Sequence, residues 1–425
     1  MKRSRVKKAA IIGAFFLAGL LGLLIARPGV ATLYLPAIFN RYGYVVVAWN
    51  DLGMHCYNRD FSDLGVLPPF NNLWAQVIQV GDPPRKITQG IVVTYEFPDN
   101  TYSVGKSNFW TYAQQLFGLA NPLPANVGLT GKGLSGTMDW NGTRSAYMAE
   151  GIPLTEFRDS APTAPYPFQL ATVIVRDAQT GKELARTTTV SPVSTEMHCD
   201  SCHSDNGPGN PIVATGKVER NILTLHDQRN SDEYPAGHTG LLMNRRPILC
   251  AECHASNALN APGAGGDIPN FSRAMHRRHS GRVPDTLDGC YQCHPGPNTK
   301  CLRDVMSQNP QINLTCIHCH GTMSQVAQNP NPWLNEPRCD GCHTHPNYAQ
   351  NNPLYRHSTG HGGIYCEACH DSTHAIALSR EANDAIKFIG WQGFSGTLRK
   401  CLVCHATQPT QPGPHGLLLG KSAKP

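Results

Sequence analysis

A five-residue pattern, Cys-x-x-Cys-His, occurs seven times in the second half of the sequence. Two cysteines three residues apart can form thioethers with one haem, and the histidine that follows can bind its iron as the proximal ligand. Zinc ribbons do not need a histidine after each Cys-x-x-Cys, and a redox dithiol needs only one such unit. The pattern therefore predicts seven covalently attached haem c groups. The motifs are Cys199-Cys202-His203, Cys250-Cys253-His254, Cys290-Cys293-His294, Cys316-Cys319-His320, Cys339-Cys342-His343, Cys366-Cys369-His370 and Cys401-Cys404-His405.

Seven of the nineteen histidines are these proximal candidates, which leaves twelve for the second axial position that low-spin haems require. His276 and His279 are three residues apart on a predicted helix, Phe271–His279, with Ser272 as its expected N-cap. Because they share one helix face, they are expected to bind two different haems. Four further distal ligands are expected: His226, His361, His374 and His415. For the seventh we favour His55, and the alternatives are His238, His345 and His357.

The formal net charge of +6 comes from the first 31 residues, which hold six basic residues and no acidic one. The remainder has 30 basic and 30 acidic residues, so no nucleic-acid footprint is expected. Basic residues over 2–8, an apolar run over 9–26 and small residues at 29–31 predict a signal peptide over 1–31, with a retained membrane anchor as the alternative. We therefore expect an exported protein in the periplasm, at the cell surface or outside the cell.

Two regions with different patterns of apolar residues follow a short tether over residues 32–43. Residues 44–196 contain strand-like runs, one predicted helix over Ser107–Phe117 and a predicted hairpin around Asp177–Lys182, which indicates a β-rich, sandwich-like domain. Residues 197–425 have almost no periodic apolar pattern and carry all seven motifs. We expect this part to be short helices and loops wrapped around stacked haems, because so little chain per haem cannot build an ordinary core. The N-terminal domain is expected to fold without haem.

Two cysteines, Cys56 and Cys301, lie outside the motifs. In an exported protein two spare thiols often pair, and a Cys56–Cys301 disulfide would tie the two regions together. Two buried, unpaired thiols are the alternative, because connectivity cannot be read from a sequence.

The sequence resembles the multihaem c-type cytochromes of metal-respiring and other anaerobic bacteria. The resemblance covers the haem motifs and five longer segments: Asn50–Cys56, Val193–His203, Pro247–Leu259, Gly289–Met306 and Tyr355–Ala375. It implies an exported electron carrier with stacked haems, each held by two histidines, that exchanges electrons with redox partner proteins or extracellular acceptors. Some such proteins polymerise, so self-assembly is an open alternative. A multihaem reductase of a small oxyanion, nitrogen or sulfur compound is the rival hypothesis, and it requires one haem with an open sixth position.

We expect the purified mature protein to carry seven covalent haems, one for each motif, because thioether bonds survive unfolding. Mass spectrometry after denaturation and acid acetone extraction measures the number. Recovery of free haem, or fewer than seven haems per chain, would contradict the assignment.

Overall fold

A computed structural model describes residues 43–209, 213–330 and 336–416. These residues lie within one compact unit, Pro36–Pro425. The predicted signal peptide or anchor over 1–31, and the tether up to residue 42, lie outside the described residues. In the part of the chain that is described, no helix combines the length and apolar character needed to cross a membrane.

Strands are concentrated in the N-terminal region. They are β1 (Tyr44–Trp49), β2 (His55–Cys56), β3 (Leu64–Gly65), β4 (Asn72–Gln79), β5 (Arg85–Lys86), β6 (Ile91–Glu96), β7 (Ser135–Thr137), β8 (Asp139–Asn141), β9 (Ala146–Glu150), β10 (Phe157–Arg158), β11 (Ala161–Pro165), β12 (Phe168–Asp177), β13 (Glu183–Ser194) and β14 (Ile248–Leu249). The first five-stranded sheet has the order β1-β4-β9-β8, with β5 paired to β4, and the second has the order β2-β13-β12-β6-β7. The pairs β10-β11 and β14-β3 form two small sheets. The predicted hairpin is the antiparallel pair β12–β13.

Helices are short and lie mostly in the C-terminal region. They are α1 (Phe109–Leu116), α2 (Asp200–His203), α3 (Val218–Asn230), α4 (Phe271–His279), α5 (Leu287–Cys290), α6 (Val305–Gln308), α7 (Cys316–His320), α8 (Met323–Gln328), α9 (Cys366–His370) and α10 (Ala382–Gln392). A β-rich N-terminal region followed by short helices and loops is therefore confirmed. The predicted bounds of α4 are correct, but its N-cap is Asn270 rather than Ser272, because the Asn270 side chain accepts a hydrogen bond from the Arg273 amide at 2.8 Å.

The first sheet is buried on both faces. Val46 and Ala48 of β1 join an apolar cluster that also contains residues of the second sheet, such as Val173. Val47 and Trp49 point to the opposite face and join a cluster with residues of the C-terminal region: Tyr365, Ala368, Phe388, Trp391 and Val403. Successive side chains of a strand point to opposite faces, so an unbroken apolar run such as β1 needs cover on both. The C-terminal region supplies the second cover.

A buried carboxylate, Asp63, also joins the two regions. Its oxygens lie 2.6 Å from Lys217 Nζ, 3.0 Å from Arg220 Nε and 2.7 Å from an Arg246 terminal nitrogen. Burial alone would raise the pKa of Asp63, but the three cations together lower it to about 2. The loop before β3 is thereby fixed to α3 and to the segment before β14.

This ion cluster predicts an acid-dependent loss of stability. The pKa of Asp63 is about 2 in the folded protein, and roughly 3.9 is expected in the unfolded chain. A lowered folded-state pKa gives stabilisation that is present above the unfolded value and is lost as the pH falls through the folded value. We expect the free energy of unfolding to drop between about pH 4 and pH 2, and to drop less steeply in Asp63→Asn.

Urea unfolding midpoints at stepped pH measure this effect. Asp232→Asn, at an exposed position, is the matched control and should follow the wild type. Parallel curves for the wild type and Asp63→Asn would contradict the assigned role of Asp63.

Candidate functional site

Each Cys-x-x-Cys-His motif forms a single helical turn. Residues at i, i+3 and i+4 share one helix face, so a turn over five residues places both thiols and the imidazole on the same side. The closing hydrogen bond runs from the histidine amide to the first cysteine carbonyl, for example 2.8 Å for His203 to Cys199 and 2.9 Å for His405 to Cys401. Local sequence is enough to build this turn, and it recurs as α-helix in α2, α7 and α9.

Six of the seven motif histidines lie opposite a second histidine from outside the motifs. The ring centroids in the six pairs are separated by 5.9 to 6.3 Å. Two imidazoles that bind one metal ion from opposite sides, each through a bond of about 2 Å, place their centroids roughly 6 Å apart. The observed separations fit this axial arrangement. The pairs are His203–His279, His254–His226, His294–His276, His320–His374, His370–His415 and His405–His361.

In four of the paired rings, Nδ1 makes a hydrogen bond to a backbone carbonyl, and Nε2 is on the other side of the ring. His276 Nδ1 donates to the Ser272 carbonyl at 2.7 Å and His279 Nδ1 donates to the Met275 carbonyl at 2.7 Å. His254 and His415 donate in the same way to the carbonyls of Pro269 and Asn347, at 2.8 Å each. A carbonyl oxygen can only accept a hydrogen bond, so the proton of each neutral ring is on Nδ1. The lone pair of Nε2 is then available to bind a metal ion. Metal-bound histidines use their second nitrogen in this manner.

Helix α4 brings two motifs together. His276 pairs with His294 of the third motif, and His279 pairs with His203 of the first. Phe271, at the start of the helix, contacts His254 of the second motif with ring centroids 6.3 Å apart. The i and i+3 spacing therefore serves two different motifs.

Cysteines of neighbouring motifs come close enough for their charges to interact. Burial and then the Cys202 thiolate raise the pKa of Cys293, so the first motif adjoins the third. A hydrogen bond from Cys316 lowers the pKa of Cys290, so the third adjoins the fourth. Burial is the largest cause that raises the pKa of Cys319, Cys366 and Cys369. A cysteine of the neighbouring motif raises it further: Cys342 for Cys319 (after Asp304), Cys339 for Cys366 and Cys404 for Cys369. The motifs thus form a row in the order first, third, fourth, fifth, sixth and seventh.

The loop Asn50–Cys56 packs against His374 and helps to position it. The sequence did not indicate this contact. Gly53 has φ +69°, and a side chain there would overlap the Thr373 carbonyl oxygen. The Arg303 side chain is fully buried and donates to the Gly53 carbonyl at 3.1 Å, while the Arg303 amide donates to the His374 carbonyl at 2.9 Å. Desolvation lowers the pKa of His374 to about 3, so the ring is neutral as a metal ligand must be. The only sequence signal was the resemblance of Asn50–Cys56 itself.

The sequence expectation for the seventh distal ligand differs from what the structure brings together. His55 lies in β2, where its Nε2 donates to the Pro68 carbonyl at 2.9 Å and its ring packs on Phe70. Desolvation lowers the pKa of His55 to about 4. His55 therefore uses the nitrogen that a ligand would need, and it is not paired with any motif histidine.

The comparisons with known proteins found no matching family model, curated protein or solved structure. Among residues 43–209, 213–330 and 336–416, no group of three or more His, Cys, Asp or Glu side chains is arranged to hold a metal ion. Twelve of the histidines instead form the six pairs described above.

Cys56 and Cys301 are free thiols in the structure, although they are close enough that Cys301 raises the pKa of Cys56 in addition to the larger effect of burial. Cys301 Sγ also lies 3.8 Å from His374 Nδ1. We expect neither thiol to react with a maleimide in the native protein near neutral pH, because burial raises the pKa of both.

Two thiols per chain should be labelled once the protein is unfolded without reductant. The Cys301→Ser variant is the control and should lose one label. An unfolded wild-type chain with no labelled thiol would mean that Cys56 and Cys301 form a disulfide.

Proposed function

We propose that this protein is an exported heptahaem c-type cytochrome that relays electrons along a row of haems. The observation that carries the proposal is the set of six histidine pairs with centroids 5.9 to 6.3 Å apart, each of which contains the histidine of a Cys-x-x-Cys-His motif. When bound, haem would supply a one-electron iron couple. The chain supplies the axial ligands, the spacing and the burial that tune it.

The scarcity of apolar core in the C-terminal region supports this proposal. From Cys253 to Leu354, Pro295 and Ala327 are the two buried aliphatic or aromatic side chains among the described residues. A segment of this length would normally bury a continuous apolar core to offset the entropy of ordering its chain. Three complete motifs lie inside it. We infer that haem macrocycles provide the missing buried surface and that the short helices wrap them.

The row of motifs supports transfer from haem to haem. Interactions between cysteines link the first motif to the third, the third to the fourth, and then each motif to the next as far as the seventh. The second motif is joined through Phe271 of α4. Axial histidine pairs favour lower potentials than histidine–methionine pairs, which suits a carrier in anaerobic respiration. The carbonyls of Ser272 and Met275 accept hydrogen bonds from His276 and His279, and the Arg303 amide donates to the His374 carbonyl, so these groups would orient the ligand rings.

Location and partners follow from the same proposal. The basic and apolar N-terminal sequence favours export, so the expected partners are redox proteins or acceptors in the periplasm, at the cell surface or outside the cell. The β-rich region, packed on the motif region through Tyr365 and Trp391, would support the haem row and offer a surface for docking.

Single ligand variants test the proposal. His276→Ala and His279→Ala should each convert about one of the seven irons from low spin to high spin, because their rings face different motifs. The double variant should convert about two. All variants should retain seven covalent haems, since the thioether cysteines are untouched.

Electron paramagnetic resonance and haem quantification provide the readouts. His55→Ala is the matched control, because His55 faces no motif histidine, and it should leave the spin states unchanged. If neither α4 variant alters a spin state, α4 does not supply distal ligands. A wild-type protein without reversible reduction of seven haems would refute the relay.

A further inference from the structure

One motif histidine, His343, has no histidine opposite it. All nineteen histidines lie in the described residues, and the six pairs account for the other six motifs. The ring in contact with His343 is Tyr348, with centroids 6.0 Å apart and planes inclined at 79°. A phenol oxygen lies well beyond its ring centroid, so a ligating tyrosine would place its ring farther from the opposing imidazole. This contact is therefore not an axial pair.

Five of the six remaining histidines have a ring nitrogen engaged in a hydrogen bond elsewhere. The Nε2 atoms of His55, His198 and His238 lie 2.9 to 3.2 Å from Pro68 O, a Glu196 carboxylate oxygen and Gly240 O. His318 and His345 use Nδ1 to accept hydrogen bonds from the backbone amides of Thr315 and Asn347.

His357 stacks on Trp74 of the first sheet, with ring centroids 6.0 Å apart and planes inclined at 24°. Its Nδ1 is buried without a hydrogen-bond partner among the described residues, but the ring lies against β4 and not opposite His343. None of these six side chains is paired with His343.

The fifth motif also lies at the surface. Cys342 is the only exposed cysteine of the sixteen, all of which are described. Residues 341–347 are exposed without interruption. Small solutes can therefore approach this motif from bulk water.

At the same time, the fifth motif has neighbours on both sides in the row. Its cysteines interact with Cys319 of the fourth motif and Cys366 of the sixth. His343 is also close enough to His370 to contribute, after burial and His415, to the lowered pKa of His370. Electrons could therefore reach the fifth motif from either direction.

We propose that the haem of Cys339-Cys342-His343 binds an exogenous small ligand at its sixth position. The expected class is a small lone-pair donor: carbon monoxide or nitric oxide for the reduced iron, and cyanide or nitrite for the oxidised iron. This inference rests on the proposed function, because it requires a haem on that motif. It would give the relay one position at which a small molecule, rather than a protein, meets the row.

Ligand titration of the complete protein tests the site. Reduced wild-type protein should bind carbon monoxide at one haem of seven, and the oxidised protein should show about one high-spin or water-bound iron that cyanide converts to low spin. The Cys339→Ala/Cys342→Ala double variant should retain six haems and lose this response. In His276→Ala the number of haems that bind carbon monoxide should rise from one to two, which calibrates the assay.

Several outcomes would overturn the inference. Seven haems that are all low spin and insensitive to both ligands would show that His343 has a protein partner. If one of the variants His345→Ala, His357→Ala or Tyr348→Phe then gained carbon monoxide binding, the substituted residue would be that partner. Binding that appears only on dilution would mean that a second copy of the chain supplies the ligand.

Failure of the proposed function has a different signature. It would appear as fewer than seven haems or as no reversible reduction, before any ligand is added. A seven-haem, reversibly reduced protein without a carbon monoxide response would overturn the ligand site alone.

Discussion

The most regular constraint in the C-terminal region is the pairing of two imidazoles at a nearly constant separation. A motif turn fixes one imidazole locally, but its partner comes from elsewhere in the chain: His374 lies 54 residues beyond His320, and His203 lies 76 residues before His279. The ring centroids of the six pairs are 5.9 to 6.3 Å apart. These pairs therefore hold segments that are distant in the sequence at a nearly constant separation.

The N-terminal region contributes directly to one of these pairs. Gly53 takes a left-handed conformation that allows the loop Asn50–Cys56 to pack against Thr373 and His374. Arg303 links this loop to Asp384 of α10 through hydrogen bonds of 2.7 and 3.1 Å, and both side chains are buried. Removing one member of such a pair leaves an uncompensated buried charge, which typically costs about 3–5 kcal/mol. The orientation of His374 thus depends on a network that spans both regions.

The two faces of the first sheet explain why the regions are joined so closely. One face packs on the second sheet, and the other packs on Tyr365, Phe388 and Trp391. Trp49 and Tyr365 approach with ring centroids 5.4 Å apart. The expectation that residues 44–196 fold without haem therefore concerns a segment whose first sheet would have one uncovered apolar face when separated from the C-terminal region.

Sequence alone determined the local features. The motif turns, the hairpin of β12 and β13, helix α1 and the bounds of α4 all follow from short-range spacing, because each needs only residues close in the chain. The twelve histidines outside the motifs supplied the six distal candidates His226, His276, His279, His361, His374 and His415, but nothing in the sequence assigned them to particular motifs. Tertiary structure alone decided those assignments, the adjacency of the first and third motifs, the role of Arg303 beneath Gly53, and the position of His55 against Pro68. These contacts join residues from 13 to 250 positions apart, and their geometry is set by the packing of the whole chain rather than by any local pattern.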